Sequence, residues 1–361
     1  MPIMLSGNKG EWSEIYVFLK LLGEGRLNAA DANLIAIPDI YYPIIKILRQ
    51  ENIVKREYRV NGDIKIYDGD NNELFQLPIS EFLDRSQQLF RDLRRAEGRS
   101  FGFEDIEVFL NSIDINSLTA LKTDKADIKV VVHDLNTGMK PKLGFSIKSM
   151  VGGNSTLFNP GNTTNFIYEI IGDGELDIEE INAINEKPKI ANRISEIKSR
   201  GFGLKFLNIQ SSTLQLNLQL IDSDLPEILA ELLIIKYSTP GLALLKSTIE
   251  QLTLNNPLRF DVSQGHPFYE YKIKNFLTDS ALGMTPATIW TGQYDATGGI
   301  IIVKENGELV CYHIYNRNEF QNYLLCNTQL EQASTSRYKF GDLYVENGRV
   351  LLKLNLQIRF N

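Results

Sequence analysis

Two short apolar runs constrain this chain more than any other feature. They are Ala126-Asp127-Ile128-Lys129-Val130-Val131-Val132 and Leu143-Gly144-Phe145-Ser146-Ile147-Lys148-Ser149, separated by a polar stretch through Asn136-Thr137-Gly138. Runs rich in β-branched and aromatic residues with turn residues between them read as neighbouring strands. Side chains two apart on a strand share a face, so Ser146 and Lys148 project together. Asp127, at the start of the partner strand, reaches the same spot. A carboxylate and a lysine converging there suit magnesium-dependent phosphodiester hydrolysis, in which the carboxylate holds the metal and the lysine activates or steers the attacking water. The same pair fits an ordinary solvated sheet margin, so the rest of the chain decides between the two.

The 361 residues allow two domains, or one core with a large elaboration. A hydrophobic fraction of 43% and a charged fraction of 23% are those of a globular protein. No apolar run reaches membrane-spanning length, and Met1 to Lys9 lacks the pattern of a signal peptide. Cys311 and Cys326 offer neither a disulfide framework nor metal-ligand spacing. A reduced, cytoplasmic protein is the expectation. The net charge of −7 argues mildly against nucleic acid as a partner, but binding depends on where the cations sit. Arg85, Arg91, Arg94, Arg95 and Arg99 crowd one stretch, whereas Asp173 to Glu186 is acidic and reads as a solvated helix face.

Trp12, Ile15, Tyr16, Leu19 and Leu22 recur at helical spacing and predict a helix over 11–22, with Asn8 as N-cap and Ser13 and Lys20 on its wet side. Glu11 and Glu14 fall at the apolar margin, where an unpartnered charge is costly. Each is explained by a salt bridge, by the helix N-terminus or by a metal. Residues 42–50 read as a helix, 56–67 as strands around Asn61-Gly62, 79–96 as a basic amphipathic helix and 104–111 as a short helix. Further helices are expected at 177–185, 188–199 and 224–252, with a strand over Thr213–Leu220. From about residue 265 the texture is β, with strands at Gly298–Val303, Leu309–Tyr315, Leu343–Val345 and Val350–Phe360.

Five segments carry a family resemblance: Asn8 to Tyr16, Ala126-Asp127 with Phe145 to Ser149, Thr164 to Glu169, Cys311 to Arg317 and Leu354 to Phe360. Together they resemble the HpaII family of type II restriction endonucleases across essentially the whole chain. The resemblance implies a bacterial enzyme that makes magnesium-dependent double-strand cuts in DNA at a short palindrome, 5′-CCGG-3′ in that family. It also implies a mixed α/β (α+β) fold of the PD-(D/E)XK nuclease type, with a mixed central sheet flanked by helices. Residues 1–264 would form the nuclease core with helical insertions. Residues 265–361 would form a β-rich region for DNA recognition packed on it.

In that superfamily an Asp is followed by Glu-x-Lys on the next strand. Here Ser146 takes the Glu position. Lys9-Gly10-x-x-x-Glu14 resembles the helix-borne glutamate of archaeal Holliday junction resolvases and several restriction enzymes, which favours Glu14 over Glu11 as the compensating ligand. Glu169 is the alternative. The implied catalytic set is Asp127, Ser146, Lys148 and Glu14, with Mg2+ on Asp127 and Glu14. His133 and Asp134 are secondary candidates, and His266 and His313 read as structural.

Reading a G·C-only site calls for arginine or lysine on guanine and for carboxylates on cytosine. Asn355, Gln357 and Arg359 alternate with Leu354, Leu356, Ile358 and Phe360, so one face would pack and the other would meet DNA or blunt a sheet edge. Ser334-Thr335-Ser336-Arg337 supplies hydroxyls and a guanidinium, and Arg94 and Arg95 suit phosphate tracking. A palindrome favours a two-fold homodimer. The missing Glu leaves two other readings open, a catalytically silent DNA-binding protein and a structure-selective repair nuclease.

Overall fold

The computed structural model describes residues 5–120, 126–135 and 137–361. Asn136 of the expected hairpin and Met1 to Met4 lie outside them. The first seven strands are β1 (Arg26–Ala30), β2 (Ala36–Glu51), β3 (Val54–Asn61), β4 (Asp63–Tyr67), β5 (Glu73–Leu77), β6 (Ile128–Val132) and β7 (Lys142–Ser149). Three more follow: β8 (Thr156–Phe158), β9 (Asn165–Ile171) and β10 (Gly203–Ile209). The last six are β11 (Gly299–Val303), β12 (Leu309–His313), β13 (Thr328–Leu330), β14 (Leu343–Glu346), β15 (Arg349–Asn355) and β16 (Ile358–Phe360). Helices α1 (Lys9–Glu24), α2 (Ile79–Arg95) and α3 (Glu104–Ser112) precede the site strands. The class is mixed α/β, as expected.

The chain divides into two compact units. The first comprises Met1–Ser155, Ala281–Gly283 and Tyr294–Tyr323. Its nine-stranded sheet has the order β1-β12-β11-β7-β6-β2-β3-β4-β5. The β1–β12 and β11–β7 pairs are parallel and the others antiparallel. The long β2 pairs β1 through its first half, Leu27 against Tyr42, and β6 through its second, Ile47 against Val130. Six strands therefore close into a ring, and β3 to β5 extend from it.

The helix expected over 42–50 is the middle of β2. Pairing with β6 shifts register between Ile44 and Lys46. A bulge adds one residue to the strand, so the buried Ile44 and Ile47 stand three apart, a spacing that imitates a helix. The opposite correction applies to Thr213–Leu220, which lies in a helix, Ser212–Ile221. Ser211 caps it through Leu214 N–H. Leu214, Asn217 and Leu218 are buried while Leu216 and Leu220 are exposed, a helical rather than an alternating pattern.

α1 begins where the sequence places it. Asn8 accepts from Gly10 and Glu11 N–H, Glu11 accepts from Asn8 N–H, and Gly25 closes the far end with φ +66°. Of the two residues expected on the wet side, Lys20 is partly exposed and pairs with Glu24 at 2.7 Å, but Ser13 is not. Ser13 is 1% exposed, and apolar residues on every face belong to the core shared with Ile47, Tyr58, Val130, Phe145, Ile301 and Val303. α2 packs on α1 with Phe82, Ser86, Leu89 and Leu93 buried and Arg91, Arg94 and Arg95 exposed.

The second unit holds Thr156–Ser280, Met284–Gln293 and Leu324–Asn361. Its strands form an antiparallel sheet β10-β9-β15-β14 and a smaller one β13-β16-β8. The helix expected over 224–252 is two, Leu225–Ser238 and Leu245–Asn255. The stretch 265–361 is shared out: β11 and β12 complete the first unit's sheet, and β13 to β16 belong to the second. Among the described residues no helix is long and apolar enough to cross a membrane.

Candidate active site

β7 lies between β6 and β11, with Ile128 opposite Phe145 on one side and Ile300 opposite Ser146 on the other. A strand paired on both edges cannot slip without turning its core residues outward, and Leu143, Phe145 and Ile147 are core residues. Ser146 and Lys148 therefore occupy the alternate face. Asp127 stands one residue before β6, and its N–H donates to the Phe145 carbonyl at 2.8 Å. Its carboxylate is aimed by β7 itself: Oδ2 accepts from Ile147 N–H at 2.7 Å and from Ser146 Oγ at 3.2 Å. Ser146 acts here as a donor to the neighbouring Asp.

α1 supplies the third group. Glu11 is turned back onto the helix end, its carboxylate 2.8 Å from Asn8 N. Glu14, nearly one turn on, lines a recess of about 340 Å3 together with Lys9, Asp127, Lys148 and the glycine loop at Gly152. Ser13 fixes the helix against β7, its Oγ 2.7 Å from the Lys9 carbonyl and 2.9 Å from Ser149 Oγ. Asp127 also borders a cavity of about 330 Å3 lined by Lys55, Arg56, Arg59, Lys129 and Lys142.

Asp127, Glu14 and Lys148 thus come from three separate elements to one recess. Hard carboxylate oxygens of this kind suit a magnesium ion, which binds one or two carboxylates and retains waters or phosphate oxygens in its other positions. Among the described residues no group of three or more His, Cys, Asp or Glu side chains could hold a metal.

Other candidates lie elsewhere. Glu169 belongs to the second unit, on β9, where its carboxylate is 3.6 Å from Arg349. Asp134 is buried in the turn after β6 and accepts from Thr137 Oγ1 at 2.8 Å. His313 is buried against Tyr42, with Nδ1 accepting from Tyr315 N–H at 3.1 Å. Burial pulls its pKa down to about 4. His266 is exposed beside Phe268. Both cysteines are free, and burial pushes the Cys311 thiol up.

Of the outward face expected from Asn355, Gln357 and Arg359, only Arg359 is partly exposed. β15 ends at Asn355, which is 1% exposed and donates to Gly161 O, Thr164 Oγ1 and Asn165 Oδ1. Gln357 is buried, and Arg359 pairs with Glu331 at 3.0 Å. Alternation here reflects two buried faces. Ser334, Ser336 and Arg337 are exposed, in and beside the short helix Thr335–Tyr338. The sequence reading gave Ser13, Ser149, Lys9 and Gly152 no part in the site. Only Lys9 carried a signal, its place in the Lys9-Gly10-x-x-x-Glu14 motif.

A family model for the HpaII restriction endonuclease matches residues 8–360. The chain is also similar to the type II restriction enzyme HpaII of Haemophilus parainfluenzae, with 44% identity over 362 residues that cover 100% of each protein. No solved structure matches it.

Proposed function

The chain belongs to the HpaII restriction endonuclease family and is a type II site-specific deoxyribonuclease; from that premise we propose that it cuts both strands of 5′-CCGG-3′ with Mg2+, through a PD-(D/E)XK site built from Asp127, Glu14 and Lys148. One observation carries the assignment: a carboxylate before β6, a lysine on β7 and a glutamate on α1 line a single recess. Magnesium bound by Asp127 and Glu14 would supply Lewis acidity and lower the pKa of a water. The chain's own groups do the rest. Ile147 N–H and Ser146 Oγ hold the Asp127 carboxylate in one orientation. Lys148 brings positive charge against the phosphate, where negative charge grows as water adds to phosphorus and the leaving oxygen departs.

Arg94, Arg95, Ser334, Ser336 and Arg337 are proposed as DNA contacts because they are exposed, where guanidinium and hydroxyl groups can meet phosphate or guanine. Asn355 and Gln357 are not carried forward. A two-fold dimer would match the palindrome.

Digestion of a mapped plasmid in magnesium tests the reading. Discrete fragments ending within 5′-CCGG-3′ are expected, lost in Asp127→Ala and in Lys148→Ala while DNA binding persists. Random degradation, or cutting that survives both substitutions, overturns it.

A further inference from the structure

The recess contains a second cation that the proposed chemistry leaves unused. Lys9, the first residue of α1, lines it with Glu14, Asp127 and Lys148. Lys9 is half-buried, and among the described residues its ammonium has no ion-pair or hydrogen-bond partner. A lysine half-removed from water normally gains a partner, because its desolvation is otherwise uncompensated.

The surroundings are fitted to this side chain. Gly152 has φ +88°, and a Cβ built on it would overlap Lys9 Cδ and stand 2.9 Å from both Cε and Nζ. The lysine stem therefore lies flat on the Gly152 backbone, where no other residue leaves room. The loop is tied to the same frame, since Val151 N–H donates to Ser149 Oγ at 3.1 Å and Ser149 Oγ meets Ser13 Oγ. Helix, strand and loop are thereby held in one register around Lys9. The helix end is not itself the anion-attracting group, because Asn8 Oδ1 already accepts from Gly10 N–H at 2.8 Å and Glu11 N–H at 3.1 Å.

Charge points the same way. Two carboxylates and two ammonium groups line the recess. Once the carboxylates are committed to a divalent cation, the lysines are its unbalanced charge, and a nucleic-acid backbone presents one negative charge per phosphate. We infer that Lys9 is a second substrate-contacting lysine, which holds a backbone phosphate of the bound DNA strand beside the group that Lys148 serves. The inference rests on the endonuclease reading of the recess.

Each phosphate contact contributes about 0.9 to the slope of log K against log salt on B-DNA. Binding of the full chain to a duplex carrying 5′-CCGG-3′ is therefore measured across a salt series at fixed calcium in place of magnesium, so that the carboxylates carry a divalent cation while the duplex stays intact. Lys9→Met keeps the stem on Gly152 and removes the charge. It should flatten the slope by about 0.9, Lys9→Gln should do the same, and Lys9→Arg should restore it, all with unchanged thermal melting. A merely structural lysine would change melting and leave the slope alone. An unchanged slope in both neutral variants overturns the inference, and wild-type digestion in magnesium would then leave the nuclease reading standing. Failure of the wild-type protein to cut overturns that reading instead.

Discussion

Replacing Ser146 with alanine distinguishes a positioning residue from a ligand. Ser146 is 1% exposed, and its hydroxyl donates to Asp127 Oδ2 at 3.2 Å beside the Ile147 amide at 2.7 Å. Hydrogen bonds to charged groups are worth about 1.5–3 kcal/mol. A 3.2 Å O–H···O contact is longer than the usual range of about 2.5–3.0 Å, so about 1.4 kcal/mol, just under the bottom of that energy span, is the appropriate figure. The shorter amide bond survives the substitution, so the carboxylate keeps that anchor and only its orientation loosens. If that energy is realised in the reacting complex, single-turnover cleavage falls about tenfold, at about 1.36 kcal/mol per decade. The magnesium concentration for half-maximal rate should rise while DNA affinity stays constant. The assay is single-turnover cleavage of an end-labelled duplex over a magnesium titration, with Asp127→Ala as the fully inactive reference. A wild-type rate and magnesium response refute the positioning role. A loss as complete as that of Asp127→Ala refutes it too, because the hydroxyl would then be acting on metal or substrate directly.

Glu14→Gln keeps the shape of the side chain and removes its charge, so cleavage should fall at least tenfold and recover in part at high magnesium; full activity at low magnesium would remove Glu14 from the site. His313 gives a pH signature in stability. Its pKa is depressed to about 4 in the folded chain against about 6.5 unfolded, so the unfolded state takes the proton first as pH falls. The neutral burial is therefore without penalty above pH 6.5, and stability drains away between about 6.5 and 4. Between pH 6.5 and 5 the loss from this one group is about 1.5 kcal/mol, read from urea unfolding midpoints. His313→Gln should flatten that segment, and an unaltered slope would show that other groups set it.

The candidate site was legible where its residues share a local pattern. Asp127 immediately precedes β6 and Ser146-Ile147-Lys148 stand on β7, strands adjacent in sequence and in space, so hairpin pairing alone brings them together. The Asn8 cap was legible for the same reason, because Asn8 and Glu11 are three residues apart. The Ser13–Ser149 contact was not, since it joins residues separated by 136 positions and neither serine stands out in composition. Nor was the joining of β11 and β12 to the first sheet, which sets Ile300 against Ser146 across half of the chain.

The sharpest lesson is one tetrapeptide used twice. Leu216-Asn217-Leu218-Gln219 and Leu354-Asn355-Leu356-Gln357 are identical and alternate apolar with polar, which predicts a strand in both places. The first is helical, with Asn217 accepting from Trp290 N–H at 3.0 Å and donating to Thr288 O at 2.8 Å. The second begins as the end of β15, its asparagine donating to Gly161, Thr164 and Asn165. Local propensity is the same in the two copies, so the surroundings decide. Ser211 caps the first segment, whereas Leu354 and Asn355 in the second pair in register with Phe166 and Asn165 on β9. In both copies the asparagine spends its amide inside the protein. That is why a polar residue in an alternating run was a poor guide to a DNA-facing surface, while the half-buried lysine on its glycine loop, which no alternation marks, lines the recess with Glu14, Asp127 and Lys148.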